Sequence, residues 1–227
     1  MAGSGETFAV RRIYCVGRNY AAHAVEMGHA DRAPPFFFTK FADTLVPSGT
    51  TLAYPPETAD YHYEGELVIA IGADTFQVTP EQAPDHVFGY ACGLDMTRRD
   101  IQLGFRDRSE PWDLGKNFSQ GAVLGAIHPA SEIGHPVAGS LVLKVNGVVR
   151  QDADLADLMW PCADIVAYLS RFDRLAAGDL IYTGTPAGVG PVVPGDIITL
   201  TIDRLTPVSA TVGQPHQAVQ ASLPHQE

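Results

Sequence analysis

Two glutamates, Glu64 and Glu66, stand two positions apart where an apolar segment, residues 67–72, begins. Side chains at i and i+2 of a strand point to the same face, so we expect the two carboxylates side by side. On a partly buried face they repel, and one of them protonates unless a cation lies between them. Asp95 is a third carboxylate, in the apolar segment 89–96. Oxygen ligands of this kind suit a hard divalent ion, Mg²⁺ before Mn²⁺ or Ca²⁺, and the alternative interpretation is a solvated strand edge.

A histidine and a glutamate with helical spacing form a second candidate group. Residues 19–28 are rich in alanine and end at a glycine, which predicts a two-turn helix. His23 and Glu26 lie three positions apart and share one face of it. A carboxylate beside an imidazole can orient the ring and raise its basicity, which predicts a general-base pair for activating water. The alternative interpretation is a surface ion pair.

Several polar groups follow Asp95 in the chain. Arg99, Gln102 and Lys116 can stabilise a developing oxyanion, although each residue taken alone is typical of a surface. The glycine-rich segment 184–190 lacks the Gly-Lys-Ser/Thr sequence of a phosphate-binding loop. We therefore expect a tight loop whose backbone amides and Thr185 hydroxyl face a small anion.

Composition disfavours several functional classes. The formal net charge of −11 argues against nucleic-acid binding, because no basic patch neutralises phosphates. No apolar run reaches the length of a membrane span, and no signal-peptide pattern is visible, so we expect no membrane partner. Cys15, Cys92 and Cys162 are far apart in the chain. This spacing predicts free buried thiols in a reducing compartment, the cytoplasm, and argues against a disulfide framework.

Short apolar segments separated by turns predict a mainly β, α+β fold. Asn146-Gly147 between two β-rich arms predicts a hairpin over residues 141–151. Residues 154–172 are predicted to be helical, with Pro161 interrupting or starting the helix.

Length and composition indicate one domain. The chain has 227 residues and 45% hydrophobic residues, enough for a sizeable core. We expect this domain to cover residues 11–206, with loose ends at residues 1–10 and 207–227.

Five segments, in order along the chain, resemble the fumarylacetoacetate hydrolase family over residues 11–206. The matching segments are 14–23, 63–67, 93–102, 114–118 and 183–190. The resemblance implies a mixed β-roll or barrel-like sandwich, of the type found in the C-terminal domain of fumarylacetoacetase. It also implies that the protein is a homodimer.

The same resemblance implies roles for individual residues. The implied ligands for Mg²⁺ or Mn²⁺ are Glu64, Glu66 and Asp95. The implied catalytic residues are His23 and Glu26, as a water-activating dyad on a lid, and Lys116. The implied substrate contacts are Arg99 and Gln102, which with Lys116 polarise carbonyl groups, and Thr185, which meets a carboxylate.

The small single-domain branch of this family, which cleaves acylpyruvates, is the most similar to the chain. The implied reaction is hydrolysis of the C3–C4 bond of a 2,4-dioxo acid, with fumarylpyruvate of gentisate degradation as the expected substrate. Such a dicarboxylate needs a second cation, and we hypothesise that Arg18 or an arginine of residues 106–108 supplies it. Oxaloacetate decarboxylation, isomerisation of a 2-oxo diacid and a catalytically silent ligand-binding role remain alternatives.

Overall fold

The computed structural model describes residues 1–3, 5, 7–20 and 34–215, and β-strands form most of its regular structure. The strands within these residues are β1 (Arg12–Gly17), β2 (Phe36–Lys40), β3 (Leu45–Pro47), β4 (Thr51–Leu52), β5 (Tyr61–Tyr63), β6 (Gly65–Ile71), β7 (Val87–Asp95), β8 (Thr97–Arg98), β9 (Ala122–Leu124), β10 (His128–Pro129), β11 (Ser140–Val145), β12 (Val148–Asp154), β13 (Asp179–Tyr182), β14 (Gly190–Pro191), β15 (Ile197–Ile202) and β16 (Val208–Val212). The mainly β, α+β architecture is therefore confirmed.

Helices are few and short in the described part of the chain. The α-helices there are α1 (Arg99–Asp107), α2 (Asp113–Lys116), α3 (Ala130–Ile133) and α4 (Cys162–Leu169), and the 3₁₀ helices are Ala42–Thr44, Ala83–His86 and Leu155–Asp157. None of the helices in this part is long and apolar enough to cross a membrane.

The largest sheet places its strands in the order β2-β1-β13-β6-β7-β9-β3, with β10 paired to β7. Strand β6 is buried along its whole length, as expected of a continuous apolar run covered on both faces. Its residues alternate between two core clusters, Leu67 in the larger and Val68 in the smaller. Glu66 is two positions from Val68 and therefore faces the same side of the sheet. Asp95 is four positions from Ala91, which also lies in the smaller cluster, and faces that side as well. The carboxylates thus continue one face of the sheet.

A second sheet, in the order β12-β11-β15-β16-β4, covers the opposite face of the large one. Strands β11, β15 and β16 alternate between buried and more exposed residues, which is typical of a sheet with one face on the core and one in water. Leu143 and Leu200 from this sheet share the larger core cluster with Leu67. A small third sheet, β14-β5-β8, joins Tyr61 to Arg98 at the start of α1.

The prediction of a helix over residues 154–172 is wrong in its first half. Strand β12 continues to Asp154, whose side chain accepts a hydrogen bond from Ala156 N and caps the 3₁₀ helix. The α-helix begins only at Cys162, directly after Pro161. Proline lacks an amide hydrogen and fits the start of a helix but not its interior, which explains this boundary.

The expectation of loose ends also needs correction. Val208–Val212 forms β16, which pairs with β15 and with β4. Alternate residues of this segment are buried, and the intervening polar side chains conceal the pattern in the sequence. Near the N-terminus, Phe8 and Val10 pack against the smaller core cluster. Residues 216–227 lie outside the described residues, as do residues 21–28 of the helix predicted over 19–28.

The predicted hairpin is confirmed, and its turn offers a test of backbone strain. Asn146 and Gly147 both have positive φ, 52° and 78°. A side chain at Gly147 meets no atom within 4 Å, so Gly147→Ala isolates the cost of the left-handed conformation. We expect the free energy of unfolding to fall by about 1–2 kcal/mol, and Tm to fall by about 2–8 °C in differential scanning calorimetry. Gly5→Ala, equally open and without positive φ, is the control and should leave Tm unchanged; equal effects would contradict this account.

Candidate active site

Glu64, Glu66 and Asp95 come together where β6 begins and β7 ends. The two strands are antiparallel, and Asp95 N donates a hydrogen bond to Glu64 O at 2.9 Å across the pair. One carboxylate oxygen from each residue lies within 4.8 Å of the others, and all three residues are buried. The side chains are therefore near enough to share one cation, which is what their spacing in the sequence predicts.

Three buried cations surround these carboxylates. Lys116 Nζ lies 2.7 Å from Glu64 Oε2 and 2.8 Å from Asp95 Oδ2. Lys40 Nζ lies 2.8 Å from Asp95 Oδ1, and Arg99 forms an ion pair with Glu64. Three negative and three positive residues thus give the cluster a formal charge of zero. Removing one partner of such a cluster would leave an uncompensated buried charge.

Lys40 holds several segments around Asp95. Its ammonium group donates to Met96 O at 3.1 Å, to Gly121 O at 2.9 Å and to Lys116 O. The three hydrogens are thus used by carbonyl groups, and Asp95 Oδ1 makes no hydrogen bond although Lys40 Nζ is near. Asp95 Oδ1 is thus held by an ion pair with Lys40 rather than by a hydrogen bond.

The electrostatics of the cluster favour a further cation. Burial raises the pKa of Glu66, and the neighbouring Asp95 and Glu64 raise it further, to well above its ordinary value. Burial lowers the pKa of Lys116, but Asp95 and Glu64 outweigh it and the net shift is upward. Lys116 therefore stays protonated and acts as a cation and donor. Glu66 forms no ion pair with another of the described residues.

Helix α1 brings two predicted residues to the cluster. Arg99 and Gln102 are three positions apart and are both buried. Arg99 Nη1 donates to Gln102 Oε1, which leaves the amide nitrogen of Gln102 as the end that can donate to a ligand. Arg99 Nε donates to His62 Nδ1 at 3.5 Å, and His62 Nε2 lies 2.7 Å from Asp60 Oδ1. Burial and Arg99 lower the pKa of His62, which keeps it neutral.

A cavity of about 30 Å³ collects most of the predicted site residues. The predicted residues in its wall are Arg18, Glu64, Glu66, Arg99, Gln102, Lys116 and Thr185. Asp95 lies behind this wall and is fully buried. The cavity has room for about one ion or water, so a larger ligand must extend beyond it.

A wider cavity of about 570 Å³ shares Arg18, Phe38 and Trp112 with the small one. Arg18 has a φ of 60°, and its guanidinium carbon lies 5.4 Å from the centre of the Phe36 ring. Its Nε is buried and has no hydrogen-bond partner among the described residues. Arg18 therefore stands between the two cavities with a donor available.

Thr185 lies in the loop that follows β13. Its hydroxyl donates to Gly65 O at 3.0 Å and accepts from Gln151 Nε2 at 2.8 Å. Gly184 N, one position earlier, donates to Glu66 Oε2 at 2.7 Å. The loop is thus attached to the strand that carries the glutamates, and the predicted contact between Thr185 and a ligand carboxylate stays a prediction.

The predicted dyad, His23 and Glu26, lies outside the described residues. Its position relative to the carboxylates therefore stays a prediction.

The sequence model described as fumarylacetoacetate (FAA) hydrolase C-terminal matches residues 12–213. The chain belongs to the fumarylacetoacetate hydrolase family. Among curated relatives, fumarylpyruvate hydrolase of Ralstonia sp is 49% identical over 178 residues, 78% of this chain and 92% of the relative. The oxaloacetate tautomerase of Escherichia coli K12 is 39% identical over 197 residues, 86% of this chain and 90% of the relative.

Solved structures of the family have the same fold. The crystal structure of fumarylpyruvate hydrolase from Pseudomonas aeruginosa, in complex with Mn²⁺ and pyruvate, is 51% identical and has a TM-score of 0.92. The match covers 94% of this chain and 94% of that chain. The fold predicted from the family resemblance is confirmed.

Sequence reasoning missed three polar residues around the family's site: the buried Lys40 and Gln151 and the partly buried His62. A lysine at the end of an apolar strand was the one available signal, because a buried lysine requires a partner. His62 and Gln151 have no distinctive spacing in the sequence. Their roles come from contacts with residues of other elements.

Lys40→Met tests how far the charge cluster depends on each partner. The change leaves Asp95 with one cation fewer and three carbonyl groups without their donor. We expect the free energy of unfolding to fall by about 3–5 kcal/mol in urea titrations. Lys144→Met, on an exposed position of β11, is the control and should change it by less than about 0.5 kcal/mol. If Lys40→Met lowers the free energy of unfolding by less than about 1 kcal/mol, the ion pair between Lys40 and Asp95 contributes little to stability.

Proposed function

We propose that this protein hydrolyses the C3–C4 bond of an acylpyruvate, with fumarylpyruvate as substrate and fumarate and pyruvate as products. The observation that carries the proposal is the buried carboxylate triad, two of whose members, Glu64 and Glu66, line one small cavity together with Lys116, Arg99 and Gln102. The relatives from Ralstonia and Pseudomonas aeruginosa, both named fumarylpyruvate hydrolase, support the choice of substrate.

Glu64, Glu66 and Asp95 are proposed to hold Mg²⁺ or Mn²⁺. The donor set is made of oxygen, and one carboxylate oxygen from each of the three buried residues lies within 4.8 Å of the others, both of which fit a hard divalent ion. The bound ion supplies Lewis acidity toward the carboxylate and 2-oxo oxygens of the substrate.

The cationic residues are proposed to stabilise charge on the substrate. When water adds to the C4 carbonyl, its oxygen becomes negative, and Arg99 and the amide nitrogen of Gln102 can donate to it. Lys116 stabilises this charge as a nearby cation, since its three hydrogens go to Glu64, Asp95 and Thr97. All three residues line the small cavity. Lys116 suits this role because its raised pKa keeps it protonated.

His23 and Glu26 are proposed to take the proton from the attacking water. The new C4–O bond forms, the C3–C4 bond breaks, and its electron pair leaves as the enolate of pyruvate, which is then protonated at C3. Thr185 and the neighbouring backbone amides are proposed to meet the pyruvate carboxylate. Arg18, which lines both cavities, is proposed to meet the distal carboxylate.

Oxaloacetate tautomerisation is the second candidate function. It needs only proton transfer between carbon and oxygen in the same site. The relative named oxaloacetate tautomerase in Escherichia coli, 39% identical over 86% of this chain, favours it.

We further propose one catalytic domain, active as a homodimer in the cytoplasm. The family match over residues 12–213 supports a single domain. Cys15, Cys92 and Cys162 are free and buried, as suits a reducing compartment.

Substrate assays separate these candidates. Loss of enol absorbance is followed with fumarylpyruvate, acetylpyruvate and oxaloacetate, each with Mg²⁺ or with EDTA. We expect cleavage to depend on the metal and to be fastest on fumarylpyruvate. One pyruvate should form for each substrate molecule consumed. Turnover of oxaloacetate alone would replace the proposal by tautomerase, or by decarboxylase if CO₂ is released. No turnover at all would support a ligand-binding role.

Glu66→Gln tests the triad in the same assay. The change removes a ligand charge, so we expect activity to fall by more than about 100-fold, beyond the 10–100-fold typical of outer-shell partners. Glu132→Gln, on an exposed position of α3, is the matched control and should keep full activity. Comparable activity of the two variants would remove Glu66 from the metal site.

Metal binding should be linked to protonation of Glu66. Its pKa is raised in the metal-free protein, so a proton occupies the site at low pH and an ion must displace it. We expect Mn²⁺ affinity to rise with pH until that raised pKa is passed, and to be lost as pH falls. Calorimetry in buffers of different ionisation enthalpy should register release of up to one proton per ion. If Glu66→Gln releases the same number of protons per ion as the parent protein, the released proton comes from a group other than Glu66.

A further inference from the structure

Gln151 is a fully buried amide that reaches the site from the second sheet. It is the one buried residue of β12, which is otherwise partly or fully exposed. Its amide oxygen and both hydrogens of its amide nitrogen form hydrogen bonds inside the protein. Gly65 N donates to its Oε1 at 2.9 Å, and its Nε2 donates to Thr185 Oγ1 and to Pro186 O, each at 2.8 Å.

One arm of this amide fixes the peptide between two proposed metal ligands. Gly65 separates Glu64 from Glu66, and its amide hydrogen points to Gln151. A Cβ at Gly65 would lie 2.8 Å from Leu143 Cδ1 and 3.1 Å from Gln151 Oε1, so glycine allows the second sheet to approach this closely. The backbone that sets the spacing of the two carboxylates is therefore held from β12.

The other arm fixes the loop after β13. Besides the bonds to Thr185 and Pro186, the loop contacts the backbone beside Gln151 directly. Gly188 has a φ of 95°, and a Cβ there would lie 2.1 Å from Arg150 O. The same loop donates Gly184 N to Glu66 Oε2. Gln151 thus joins the ligand strand and the loop into one unit.

We infer that Gln151 is a positioning residue that sets the spacing of the metal ligands and the place of the 183–190 loop. It touches neither the small cavity nor a carboxylate oxygen, so it acts through Gly65, Thr185 and Pro186. This role rests on the proposed metal site. A neutral amide suits it, since a charged residue here would alter the zero balance of the neighbouring cluster.

Two variants separate the two arms. Gln151→Met keeps the length of the side chain and removes both sets of hydrogen bonds, the one to Gly65 and those to the loop. Gln151→Glu keeps an acceptor for Gly65 N and loses the donors to Thr185 and Pro186. Asp152→Asn, at the next position of β12 and exposed, is the control. Each protein is measured for Mn²⁺ dissociation constant by calorimetry, for KM and kcat, and for thermal unfolding in EDTA, at a temperature where it is folded.

Gln151→Met is expected to raise the Mn²⁺ dissociation constant by about 10-fold or more, as outer-shell partners of metal ligands do. Gln151→Glu keeps the acceptor for Gly65 N but adds a buried carboxyl group, so it is expected to lose less Mn²⁺ affinity than Gln151→Met. It is expected to raise KM by about 10-fold, because the loop loses both of its donors. Asp152→Asn should match the parent in all three measurements.

A lower Tm with unchanged Mn²⁺ affinity and KM would overturn the inference, because it would make Gln151 a packing residue only. If Gln151→Met does not fold, Gln151→Glu decides alone, and an unchanged KM overturns the inference. Failure of the proposed reaction is recognised separately. A parent protein that binds Mn²⁺ without turnover leaves the affinity comparison valid, whereas a parent that binds no Mn²⁺ removes this inference with the metal site.

Discussion

The structure around the site depends on the burial of three carboxylates at adjacent strand ends. Placing like charges out of water is costly, and the chain offsets the cost with Lys40, Arg99 and Lys116, which come from β2, α1 and α2. Each of these elements must therefore pack against the ends of β6 and β7. The charge cluster is in this sense a constraint on the fold as well as a place for chemistry.

The zero formal charge of the metal-free cluster matters for the charge of the substrate that the occupied site can stabilise. Since three carboxylates and three cations cancel, a bound divalent ion leaves two net positive charges in the cluster. The enolate of pyruvate carries two negative charges, one on its carboxylate and one on its enolate oxygen. The charge of the occupied site thus matches the leaving group of the proposed reaction better than it matches a neutral ketone. A substrate that cannot develop the second charge gains less from the same residues.

The carboxylates were predictable because strand alternation and apolar neighbours are local patterns, and Glu66 shows both. The hairpin was predictable for the same reason. Gln151 was not, since it bonds to Gly65 across 86 positions of sequence and only the packing of two sheets brings them together. Of the two alternatives for the helix predicted over 154–172, the one in which Pro161 starts the helix is confirmed, and the residues before Pro161 are not part of it. The role of His23 and Glu26 rests on their helical spacing in the sequence and on the family resemblance, and both residues lie outside the described residues.

Strand β1 pairs in parallel with β13, so Arg12 lies opposite Asp179, 167 positions later. During synthesis at about 5–20 residues per second, β1 waits on the order of 10–30 s for this partner. By then the segments with Glu64, Asp95 and Lys116 have left the ribosome. Val16 and Gly17, which line the small cavity, come from β1. The wall that they form thus depends on a pairing between segments 167 positions apart, and it cannot be complete until β13 has been synthesised.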